Sequence, residues 1–60
     1  MNPDFAYHTA QAAKHASNAA AYSRAASTQR DPNLADLYDQ LAREQHTSSV
    51  ASSQLAAFYS

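Results

Sequence analysis

The stretch Arg30-Asp31-Pro32-Asn33-Leu34 decides the fold. Aspartate before proline is a helix start. The carboxylate caps the first free N–H groups, and proline at the first helical position gives up an N–H that has no intrahelical partner. This start falls almost midway along 60 residues that contain no glycine. The chain opens in the same way: Asn2-Pro3-Asp4-Phe5-Ala6 parallels Asp31-Pro32-Asn33-Leu34-Ala35. The pattern predicts a single domain over 1–60, with one helix over 3–28, a turn over 29–31 and a second helix over 32–58. So short a connection favours antiparallel neighbours. The expected fold class is all-α, an antiparallel two-helix hairpin that dimerises into a four-helix bundle.

Alanines give the first helix high intrinsic propensity. The second has a weak stretch at Thr47-Ser48-Ser49-Val50-Ala51-Ser52-Ser53. There the serines, the threonine and the valine each cost roughly 0.5 kcal/mol relative to alanine. Packing has to hold that stretch, or the helix breaks into a third short one.

Composition points to self-association. A chain this short buries a small fraction of its surface. Ordering it costs roughly 1.5 kcal/mol per residue, on the order of 90 kcal/mol in all. Many of its apolar residues are alanines, which bury little area. With no cysteine, disulfides and thiolate metal sites are excluded. Oligomerisation is the remaining common solution. The expected partner is a second copy, giving a homodimer, or another helical protein.

The net charge of −1 gives no whole-chain pull toward nucleic acid or membrane. The first half carries Lys14, Arg24 and Arg30 against Asp4; the second carries Arg43 against Asp31, Asp36, Asp39 and Glu44. A mildly basic helix beside a mildly acidic one suits antiparallel pairing. Such exposed ion pairs contribute little. No run of eighteen apolar residues suggests a membrane span, and the N-terminus lacks a signal-peptide pattern. A cytoplasmic location is expected.

An alternation of three and four residues marks the buried seam. In the first helix it selects Phe5, His8, Ala12, His15, Ala19, Tyr22, Ala26 and Gln29. In the second it selects Leu34, Leu37, Leu41, Glu44, Ser48, Ala51, Leu55 and Phe58. Folding back then pairs Phe5 with Phe58, His15 with Ser48, Ala19 with Glu44 and Tyr22 with Leu41. A second stripe contains Ala13, Ala16, Ala20 and Ser23 on the first helix. On the second helix it contains Tyr38, Ala42, Gln45, Ser49, Ser52, Ala56 and Tyr59. Two adjacent stripes are broader than one hairpin seam needs, which is the argument for a dimer.

His15, Glu44 and Ser48 fall mid-seam as a candidate polar layer. A buried charge must be paired and hydrogen-bonded, so Glu44 is expected to meet His15 or the Tyr22 hydroxyl. Such a layer fixes register or partner choice. Two functional alternatives use the same residues. Glu44 and His15 of two chains could converge on a metal, but the Glu-x-x-His motif of di-iron bundles is missing, because Thr47 stands where histidine would. No metal or other cofactor is therefore expected. Alternatively, His8 and His15 form a pH switch, since free imidazole charges at about pH 6.5. No nucleophile constellation or glycine-rich phosphate loop occurs, so no catalytic residues are assigned and the chain is not expected to be an enzyme.

The leading functional expectation is a small non-enzymatic protein–protein interaction module: an adaptor, regulator or co-chaperone acting through one hairpin face. Its candidate contacts are Tyr7, Ala13, Ala20, Tyr38, Leu55 and Phe58. The alternative is an RNA-binding hairpin dimer with Lys14, Arg24 and Arg30 as its basic strip, although three spread charges are thin for phosphate contacts. In length and plan the chain is similar to the small plasmid-encoded bundles that regulate primer RNA, and to the small helical-hairpin co-chaperones of bacterial secretion systems. No motif accompanies either similarity, and neither carries residues over.

Overall fold

The computed structural model describes residues 2–60. Helix α1 spans Pro3–Thr28 and α2 spans Pro32–Tyr59. They pack antiparallel along their length in a rod of 46 × 12 × 10 Å. Its radius of gyration is 13.8 Å, against about 10 Å for a compact domain of this length. With two helices and no third layer, each helix keeps most of its circumference in water.

Both starts work as the sequence implies. The Asn2 side-chain oxygen accepts from the Asp4 N–H at 2.8 Å. The Asp31 carboxylate accepts from the Asn33 N–H at 2.9 Å. Asn2 has a second role, because its amide also donates to the Tyr59 carbonyl at 3.1 Å. One side chain thus caps the first turn of α1 and takes up a free carbonyl from the last turn of α2, closing the open end of the hairpin.

The turn needs no glycine. Gln29 ends α1 in extended backbone, φ −77° and ψ 127°, and Asp31 is extended too. No residue described has a positive φ. The Gln29 side-chain oxygen accepts from the Asp31 N–H at 3.2 Å, which ties the connection to itself.

Helix α2 is continuous through Thr47–Ser53. Here hydroxyls bond back to the turn before: Thr47 donates to the Arg43 carbonyl at 3.0 Å and Ser49 to the His46 carbonyl at 2.8 Å. Ser49 is buried in the seam. The stretch that is weakest in propensity is held by tertiary packing.

In α1 the seam is the expected one. Phe5, His8, Ala12, His15, Ala19, Tyr22, Ala26 and Gln29 are all half-buried. In α2 it is displaced by one residue. The side chains turned toward α1 are Ala35, Ala42, Ser49 and Ala56 in one rank and Tyr38, Gln45, Ser52 and Tyr59 in the other. Leu34, Leu37, Glu44, Ala51, Leu55 and Phe58 are exposed, and only Leu41 and Ser48 of that stripe are half-buried. A shift of one residue turns a helix by about 100°, so the stripe expected inside is outside. The physical reason is the rank of alanine and serine at every seventh position, which seats against the alanines of α1 and takes the place of a leucine rank.

The core is correspondingly slight. Among the described residues Ala42, Ser49 and Ala56 are buried, at 8%, 9% and 6% exposure, and no large side chain is fully buried. The orientation of α2 can be tested by urea unfolding in dilute solution. Ala42→Leu overpacks the seam and is expected to cost about 1–3 kcal/mol. Leu34→Gln, on the outer face, is expected to change stability by less than about 0.5 kcal/mol. The opposite ranking would put the leucines in the seam.

Candidate interaction surface

The seam is built from rings, amides and small residues rather than from leucine. Tyr22 stacks on Tyr38 with ring centroids 6.3 Å apart. His8 stacks on Tyr59 at 5.5 Å with an interplanar angle of 11°. Edge contacts extend that pair outward, Tyr7 to His8 and Phe58 to Tyr59, both at 5.1 Å. The open end of the hairpin is thus a row of four rings. Between the two aromatic pairs, His15 Nδ1 lies 2.7 Å from Gln45 Oε1. An amide oxygen only accepts, so this bond requires the proton on Nδ1. Asn18 donates to the same oxygen at 3.4 Å.

The polar layer therefore has a different membership from the one expected. His15 pairs with Gln45, and Tyr22 with Tyr38 instead of Leu41. Glu44 is exposed outside the seam, and Ser48 sits half-buried at its edge. Seating Glu44 inside would bury a carboxylate, whereas Gln45 brings a neutral amide to the same level. His15 and Glu44 do not come together. Among the described residues no group of three or more His, Cys, Asp or Glu side chains is gathered to hold a metal.

The six expected contact residues are dispersed. Tyr38 is used within the seam. Ala13 and Ala20 are exposed on α1. Ala20 lines an open groove of about 530 Å³ with Ala19 and Ser23 of α1 and Ala42, Arg43, His46 and Thr47 of α2. Tyr7, Leu55 and Phe58 are exposed, Phe58 at 79%. Sequence reasoning missed Leu34 and Leu37 as surface residues by assigning them to the seam. The signal that identifies them is the seven-residue repeat of small side chains, Ala35, Ala42, Ser49 and Ala56, which matches Ala12, Ala19 and Ala26 on α1.

What results is an outward face on α2 with two apolar ends and a polar middle. Leu34, Leu37, Leu55 and Phe58 stand out along it at 42–79% exposure, with Leu41 and Ser48 half-buried between them. Its one charged side chain is Glu44. Lys14, Arg24 and Arg30 are exposed on α1 or in the turn. No helix among the described residues is long and apolar enough to cross a membrane. No protein-family model, curated protein or solved structure matches the chain.

The rearranged polar layer predicts a specific coupling. In a double-mutant cycle, His15→Ala and Gln45→Ala should each cost about 1 kcal/mol and couple by about 0.5–1.5 kcal/mol. Glu44→Gln should change stability by less than about 0.5 kcal/mol. Stronger coupling of His15 to Glu44 than to Gln45 would count against this arrangement.

Proposed function

We propose that the chain is a small non-enzymatic protein–protein interaction module that docks through the leucine–phenylalanine face of α2. Docking completes the core that the hairpin lacks and yields a helical bundle of more than two helices. The observation that carries this reading is the inverted placement of apolar side chains. Alanine and serine are buried while Leu34, Leu37, Leu55 and Phe58 are exposed on one helix face.

Magnitudes make the inversion informative. Each buried methylene contributes about 0.8 kcal/mol. Leucine carries three more carbons than alanine, so an alanine inside and a leucine outside forgoes roughly 2 kcal/mol at each such position. A chain of this length has little stability to spare. Scattered exposed leucines are ordinary on a protein surface, but large apolar side chains gathered on one helix face, here in two clusters at Leu34–Leu37 and Leu55–Phe58, are typical of a contact surface. An amphipathic helix offering such anchors at three- and four-residue spacing matches a common mode of helix recognition.

A photoreactive side chain in place of Leu37, carried by the full chain in its own cell, is the test. It should give discrete protein adducts on illumination. The same group in place of Ser53, which is exposed elsewhere on α2, should give few or none. Equal labelling from both positions, or none from position 37, would remove the interaction reading.

A further inference from the structure

The outward face of α2 places large apolar side chains at both ends and polar ones at its middle. Leu34 and Phe58 lie equally far from His46 along the helix, as do Leu37 and Leu55, Leu41 and Ala51, and Glu44 and Ser48. We propose that a second copy of this chain covers the face, running antiparallel, with a two-fold axis at the level of His46. This rests on the docking reading above and names its partner.

The symmetry has physical content. In the antiparallel pair Leu34 packs on Phe58 of the partner subunit and Leu37 on Leu55 of the partner subunit. Leu41 packs on Ala51 of the partner subunit, a large side chain against a small one. The middle layer sets Glu44 against Ser48 of the partner subunit, so the carboxylate meets a hydroxyl that can donate to it. Every layer occurs twice and each is compatible in size and polarity.

A parallel pair in register sets each position against itself. Glu44 would then face Glu44 of the partner subunit, which like-charge repulsion disfavours. Ala51 would face Ala51 of the partner subunit and leave a void. Charge also argues against an oppositely charged foreign partner. Apart from Glu44 the face is uncharged, so a basic surface would find one carboxylate to pair with.

The two-fold also accounts for both helices. The seam and the outward face of α2 are about 100° apart. Hairpins joined through the outward face therefore stack side by side as four helices, with half-buried Gln11 and Asn18 as polar groups on the α1 side. The stripe from Leu34 to Phe58 is about 36 Å long at about 1.5 Å per residue, most of the 46 Å rod. With the backbone rod 12 Å across, its projected footprint is roughly 400 Å² before side chains are counted, toward the small end for a specific interface. Such a dimer dissociates on dilution, and its melting temperature is expected to rise with concentration.

The experiment has three arms. Sedimentation equilibrium of the full chain from micromolar to millimolar should show the mass rising from 6.5 kDa to twice that and no further. Equimolar Glu44→Cys and Ser48→Cys chains, mixed and mildly oxidised, should give the mixed disulfide well above the half that random pairing yields. Both sites accept cysteine without loss of an apolar side chain. Leu37→Lys mixed with Leu55→Glu should associate more tightly than either alone, since only the antiparallel pair brings those positions together. An excess of the disulfide that joins two Glu44→Cys chains would overturn the orientation. A monomeric mass throughout, together with an adduct of foreign mass from position 37, would overturn the second copy while leaving the interaction reading intact. A monomeric mass with no adduct from position 37 would end both.

Discussion

A rank of small side chains between the two helices governs the rest of this molecule. Ala35, Ala42, Ser49 and Ala56 recur at every seventh position of α2, opposite Ala12, Ala19 and Ala26 of α1. The side chains between packed helices act as the spacer that sets an axial distance of about 8–10 Å. Small residues remove that spacer, and the neighbouring rank must then fit side chains that lie along the seam. Planar groups do this. The Tyr22–Tyr38 and His8–Tyr59 stacks and the His15–Gln45 bond occupy that rank. Once it is filled, the bulky apolar stripe of α2 can only face outward.

Electrostatics selects the same rotation. Turning α2 by one residue exchanges Glu44 for Gln45 at the middle of the seam. A buried carboxylate needs a charged or multiply donating partner to offset its lost hydration. His15 and Asn18, the polar side chains of α1 at that level, supply few donors for such compensation. The amide of Gln45 offers a neutral acceptor, which His15 and Asn18 share. Sterics at Ala42 and desolvation at Glu44 thus agree on one orientation, and that agreement of separate terms makes a single arrangement preferred.

Much of this was legible in the sequence, for reasons that can be named. Asn2-Pro3 and Asp31-Pro32 fix the two helix starts through local chemistry, which needs no tertiary context. The α1 seam was legible because one stripe on that helix carries its larger rings. The α2 seam was not. Two stripes of identical spacing lie side by side there, and hydrophobicity favours the bulkier one. That preference treats α1 as the only surface available to α2. The serine-rich stretch is a similar case: propensity marks Thr47–Ser53 as weak, while burial of Ser49 and the hydroxyl bonds to the Arg43 and His46 carbonyls keep it helical. Among the expected contact residues, Leu55 and Phe58 lie on the outward face, whereas Tyr38, the most conspicuous aromatic of α2, is used within the hairpin.

The outward position of Glu44 shapes what can cover that face. A stripe of leucine alone would accept almost any apolar helix in either direction and at several registers. One carboxylate near the middle, flanked by leucines and a phenylalanine, removes most of those options. Any partner helix must place a hydrogen-bond donor at that level or leave the charge a path to water, because burying it unpaired costs several kcal/mol. A single polar position in an otherwise apolar seam specifies register and direction in this way, at some cost in affinity. Ser48 lies one turn further along the same stripe, so the chain itself offers a suitable donor when a copy runs in the opposite direction. Gln45 serves the hairpin, while the adjacent Glu44 would set the register of whatever helix covers the outward face.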